Sequence, residues 1–192
     1  MAERLAAIAL ALALAACDSS ASAPPAGETD MGRDEAPAGA EAPRPAIVAR
    51  GERFTCTPQR VWDGDGPIHC AEGTKVRLAG IAARESDGSC RPGHPCPGST
   101  AEAARDALAG LLGRTTGRAR TGHLLIEGPA LQCLSEGSAK GSRTAAWCSS
   151  PTVGDLSCAM LASGTVAKWQ RYWRGHRCGQ DPDVQKSGVI AE

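Results

Sequence analysis

Apolar and polar residues alternate from Phe54 to Trp62, break at Asp63-Gly64-Asp65-Gly66, and resume from Ile68 to Cys70. After Glu72-Gly73 the pattern runs again from Thr74 to Ile81. A period of two, punctuated by turn residues, predicts three strands of a meander. The period then changes. Ala103, Ala104, Ala107, Leu108, Leu111 and Leu112 recur at helical spacing. Ser99 is the expected cap, Glu102 its capping-box partner and Gly113 the stop. Strands are expected again at "GHLLIEG" and through "ALQCLSEGSAKGSRTAAWC", a hairpin turning near Lys140-Gly141. "GDLSCAMLASG" predicts a second, short helix between Asp155 and Gly164, and "AKWQRYWRGHRC" a third.

Five or so strands interrupted by one helix and followed by others predict an α+β chain. Its expected core is an OB-fold, a five-stranded Greek-key barrel with about three helices. Upstream the pattern differs. Leu5 to Ala16 is rich in Leu and Ala, too short for a permanent span, and closes on Leu14-Ala15-Ala16-Cys17. This reads as a lipoprotein signal peptide over residues 1–16, with Cys17 as the lipidated residue. From Asp18 to Arg50 the chain is Ala, Pro, Gly, Ser and scattered charge, without a hydrophobic period. It cannot offset its ordering entropy and is expected to be a disordered tether. The expected organisation is therefore a leader at 1–16, a tether at 17–51, a folded domain at 52–180 and a tail at 181–192. The expected location is extracytoplasmic, anchored by lipid on the periplasmic face of a bacterial membrane. Asp18 after the anchor hints at the inner membrane.

Nine cysteines less Cys17 leave eight, an even number behind an export signal, which implies a disulfide framework. Folding the hairpins about their turns sets Cys56 opposite Cys70 and Cys133 opposite Cys148. Cys90 and Cys96 would close a small loop, and Cys158 and Cys178 remain to pair. A zinc reading of Cys90, His94 and Cys96 is the weaker alternative in an exported chain. The chain is neutral as a whole, but from Glu52 onward it has 17 Lys and Arg against 14 Asp and Glu. That net +3 permits a polyanionic partner without requiring one. Taken alone, Arg77 and Glu85 read as a strand-end ion pair. The four histidines show no ligand spacing and are expected on the surface or in loops. Trp62, Trp147, Trp169, Tyr172 and Trp173 are expected mainly in the core.

Taken together, "VWDGDG", "VRLAGIAARE", a cysteine-bearing loop, "AEAARDAL", "KGSRTAAW" and "DLSCAMLASG" resemble, in that order, the staphylococcal nuclease (thermonuclease) family. The resemblance covers nearly all of Phe54 to Cys178. It implies an OB-fold and a calcium-dependent phosphodiesterase acting on DNA and RNA. It also implies roles. Glu85 would be the general base, and Arg77 and Arg143 the phosphate clamps. Asp65 and the Ala83 carbonyl would hold Ca2+. Lys140 would touch a substrate phosphate, and Arg84 could serve one directly. Asp63 is expected to cap its turn.

The departures fall at the metal and base-binding positions. Ala82 stands where the family has a second calcium-binding aspartate, and Asp87 is the nearest substitute. Gly66 replaces a threonine, Arg84 a proline, and Gly141 a tyrosine that would stack on a base. Two functions follow as expectations. One is an exported nuclease with a weakened calcium site, acting on single-stranded DNA or RNA. The other is a non-catalytic OB-type module for a phosphate-bearing or anionic ligand. A monomer without a protein partner is expected in either case.

Overall fold

The computed structural model describes residues 47–179. The leader, Cys17, most of the tether and the tail at 181–192 lie outside the described residues. The chain forms β1 (Arg53–Cys56), β2 (Pro58–Val61), β3 (Ile68–Cys70), β4 (Lys75–Leu78) and β5 (Ile81–Ala82). Helix α1 (Ala101–Leu112) follows, then β6 (Arg114–Arg118), β7 (Leu124–Glu127), β8 (Leu131–Ser138), β9 (Thr144–Ser150) and β10 (Gly154–Asp155). The last elements are α2 (Leu156–Ala162), β11 (Ala167–Lys168) and α3 (Gln170–Trp173).

The result is an α+β fold: a large sheet, three helices and four disulfides. The sheet runs β1-β8-β9-β4-β3-β2-β7-β6, with β10 on β9 and a separate β11-β5 ladder. No ladder joins β1 to β6, so the hydrogen bonding leaves the sheet open where a closed five-stranded barrel was expected. The β4–β9 pair is parallel and sets Arg77 beside Ala145. Arg143 lies two residues before Ala145, so the two point to one face by the period of the strand. That register is what first brings the two arginines together.

The strand expected from Phe54 to Trp62 is two strands with different partners. β1 pairs with β8, whereas β2 pairs with β3 and β7. The break is at Thr57, whose N–H donates to the Glu72 carboxylate at 2.9 Å. Pro58, rather than Cys56, stands opposite Cys70, yet the Cys56–Cys70 disulfide forms. The Lys140-Gly141 turn is as expected and places Cys133 opposite Cys148, which are bridged. Cys90–Cys96 and Cys158–Cys178 complete the set. Every strand residue of β6 is exposed, so no hydrophobic alternation announced it.

Helix α1 lies where its period predicted, with Gly113 ending it. Thr100, not Ser99, is its cap: Ala103 N–H donates to Thr100 Oγ1 at 3.1 Å. Ala104, Leu108 and Leu112 are fully buried against the sheet, each such leucine contributing about 2 kcal/mol. Asp155 caps α2 as expected. The third helix is only one turn, because Ala167 and Lys168 form a strand with β5 instead. Ordered contacts begin before Glu52. Val48 N–H donates to Thr144 Oγ1, Ser135 Oγ donates to the Val48 carbonyl, and Arg50 pairs with Glu136 at 2.9 Å. No helix among the described residues is long and apolar enough to cross a membrane.

Candidate functional site

The turn between β2 and β3 is fixed on α1 by Gly64, whose backbone lies against Ala104. Asp63 Oδ1 accepts the Asp65 N–H at 3.2 Å, the turn-capping role its position suggests. Leu78 N–H then donates to the Asp65 carbonyl at 2.9 Å, tying the turn to the end of β4. Gly66 has φ +111°, and any Cβ there would run into the Val76 carbonyl. A threonine therefore has no room at this position.

Asp65 is buried and committed. Its Oδ2 accepts Arg77 Nη2 at 2.6 Å and the Ala83 N–H at 3.1 Å. Arg77 also donates to the Leu78 and Ile81 carbonyls at 3.3 Å each. Ala83 thus offers Asp65 its amide. Glu85 does not pair with Arg77. It forms a two-pronged pair with Arg91, at 2.7 Å from Nε and 2.9 Å from Nη2. Arg91 sits in the loop closed by Cys90–Cys96. Arg84 turns away from the cleft: it donates to the Gly88 and Pro97 carbonyls and so braces that same loop. Asp87 accepts the Ser89 N–H and is spent on its own turn.

Asp65, Arg77, Glu85, Lys140 and Arg143 all line one cleft of about 710 Å³; Arg84 does not. Arg143 Nη2 donates to the Ala139 carbonyl at 3.2 Å, holding its guanidinium beside the hairpin turn. Four residues that sequence reasoning did not assign join them: Arg50, Arg91, Arg171 and Arg174. The lining holds seven Lys or Arg against four Asp or Glu, an excess of three. Among the described residues, no carboxylate lies within ion-pair distance of Lys140, Arg143 or Arg174. Trp169 and Tyr172 form one wall, edge to face at 4.6 Å, with the Arg77 guanidinium 5.5 Å from the Trp169 ring. They are not core residues, whereas Trp147 and Trp173 are buried as expected. The signal was present in "KWQRYWR", where cations interleave with aromatic rings.

Burial raises the Asp63 carboxyl to about 8, and the neighbouring Asp65 and Glu85 carboxylates push the same way. Asp63 is therefore neutral at pH 7, which takes one negative charge out of the cleft. Stability linked to this proton is fully present below the unfolded value near 4 and is lost as pH rises through about 8. Asp63→Asn keeps the oxygen that accepts the Asp65 N–H. It should flatten that loss, raising stability over wild type at pH 9 and changing almost nothing at pH 4. Urea midpoints at the two pH values measure it; an equal effect at both would contradict the assignment.

Burial and Arg77 lower His94, which packs on Trp169 at 4.0 Å as a neutral ring. His69 alone is neither on the surface nor in a loop, while His176 follows α3 in a loop but is packed rather than free. His69 lies in β3 and is held down to about 4 by burial and by Arg60, and His176 stacks on Trp147 at 3.8 Å.

As arranged, these groups do not fit a calcium ion. Ala82 is fully buried and brings no side-chain oxygen, and Asp65 Oδ2 is committed to the Arg77 guanidinium and the Ala83 N–H. Glu85 is held by a second guanidinium. What the arrangement offers is fixed guanidinium donors in a positive cleft, the chemistry of phosphate recognition. No protein-family model, curated protein or solved structure matches the chain.

Proposed function

We propose that the chain is a divergent, OB-type relative of the staphylococcal nuclease family whose cleft binds single-stranded DNA or RNA through its phosphates, without calcium. The observation that carries this reading is the convergence of Arg77, Lys140 and Arg143 on one cleft with an excess of positive charge. The aromatic wall of Trp169 and Tyr172 beside Arg77 gives unstacked bases a surface that a duplex could not use. The four disulfides fit an oxidising compartment, in keeping with an exported protein anchored through Cys17.

Hydrolysis is the second reading, favoured by Glu85 lining the same cleft as the two arginines. Binding is placed first because Arg91 occupies Glu85, Arg77 occupies Asp65, and Ala82 brings no carboxylate. Incubating the protein with labelled single-stranded DNA, with Ca2+ or EGTA, separates the two. Retarded but intact DNA under both conditions supports the binding module. Cleavage abolished by EGTA and by Glu85→Gln establishes the nuclease instead. Lys140→Ala should weaken binding to all sequences alike and reduce the slope of log affinity against log salt by roughly 0.7, one single-strand phosphate.

A further inference from the structure

Away from the cleft, four donor side chains meet where the C-terminal segment returns to α2. Asp155 caps that helix, its Oδ1 accepting the Cys158 N–H at 2.7 Å. Its Oδ2 lies 3.0 Å from His176 Nε2. The same nitrogen is 3.8 Å from Cys158 Sγ. Cys158 is bonded to Cys178, so a second sulfur belongs to the cluster. Among the described residues, Asp155, Cys158 and His176 are a group whose donor atoms all lie within 4.8 Å of one another. The His176 ring is stacked on Trp147 at 10° and meets Trp173 edge-on at 5.2 Å, so packing fixes where Nε2 points.

We propose that reduction of Cys158–Cys178 turns this cluster into a zinc site ligated by Asp155, Cys158, His176 and Cys178. A dithiol reductant supplies two electrons and two protons. The S–S bond breaks to two thiols while the reductant closes to its own disulfide. Each thiol then gives its proton to buffer as its sulfur binds Zn2+, and a His176 ring nitrogen and an Asp155 carboxylate oxygen join without redox change. Ordinary zinc bond lengths put the S···N and N···O edges of a tetrahedron at about 3.5 Å and 3.3 Å. The corresponding separations here, 3.8 Å and 3.0 Å, already approach those values. The principal movement required is that of Cys178, an exposed residue that a reductant can reach. The Asp155 bond to the Cys158 N–H supplies the outer contact that orients a ligating carboxylate. The segment so clamped also carries Trp169 and Tyr172, hence metal would keep the cleft wall docked when the disulfide is open.

The test uses the full chain in a fixed mixture of reduced and oxidised dithiothreitol, with Zn2+ or EDTA, followed by alkylation and mass spectrometry. Zn2+ should raise the reduced fraction of Cys158 and Cys178 several-fold over EDTA. His176→Ala and Asp155→Asn, which keeps the helix cap, should remove that gain. Co2+ in place of zinc should give tetrahedral absorption with a thiolate charge-transfer band, absent from Cys158→Ser/Cys178→Ser, which retains the other six pairing cysteines. An equal reduced fraction with Zn2+ and EDTA overturns the proposal. So does a Co2+ spectrum that survives the double serine variant, or a zinc effect indifferent to His176.

Discussion

Gly64→Ala should destabilise the folded domain by about 2–4 kcal/mol and impair ligand binding with it. A Cβ at this position would collide with Ala104 Cβ and stand 2.9 Å from the Ala104 carbonyl carbon, in the first turn of α1. The helix backbone cannot yield, because Leu108 and Leu112 pin it in the core. The turn must therefore lift, and it carries Asp63 on one side of Gly64 and Asp65 on the other. Lifting it draws Asp65 away from Arg77 and from the Ala83 N–H, so the guanidinium loses its anchor. Ala104→Gly removes the colliding methyl and should recover part of the loss, less about 1 kcal/mol of helix propensity. Thermal or urea unfolding of the single and double variants measures this. A Gly64→Ala protein as stable as wild type would show that the turn is not seated on α1.

Arg77→Ala has the second large effect, and it divides into two parts. Asp65 and Arg77 side chains are 11% and 14% exposed, so removing the arginine strands a mostly buried carboxylate and should cost about 3 kcal/mol. It also removes a phosphate donor, with an expected loss in affinity of at least about 10-fold, the scale of one charged hydrogen bond. Arg77→Ala with Asp65→Asn separates the parts. The amide can still accept the Ala83 N–H and strands no charge, so stability should return while affinity does not. Recovery of both would mean that Arg77 acts only through the fold.

The sequence read well where local rules decide. The helix stop at Gly113, the Lys140-Gly141 turn, the Asp155 cap and the Cys133–Cys148 bridge follow from spacing and turn chemistry, and the other three expected pairs also form. It read poorly where partners are chosen over long distances. In Phe54 to Trp62 the local mark of a break is Pro58, but the change of partner at Thr57 cannot be read from it, since Glu72 caps the break from another turn. The edge strand β6 is polar on both faces and carries no period to detect.

At the site, the residues singled out by resemblance do share a cleft, Ala83 and Arg84 excepted. Their pairings could not be read, because a single sequence does not say which arginine meets which carboxylate. Arg77 was set against Glu85 on proximity along the chain. In the fold it takes Asp65, and Arg91 comes to Glu85 from a loop positioned by its own disulfide. That exchange, with Ala82 buried and bare, separates a cleft built around two arginine–carboxylate pairs from one built around a cation.

The most direct measurement is a fluorescence-anisotropy titration of a labelled single-stranded oligonucleotide with the full chain, in EGTA and again in excess Ca2+. The same affinity is expected in both buffers, with a steep fall with salt, and an affinity at least about 10-fold weaker in Arg77→Ala/Asp65→Asn. Binding that appears only with Ca2+, or that is undiminished in the double variant, would contradict calcium-free phosphate binding at Arg77.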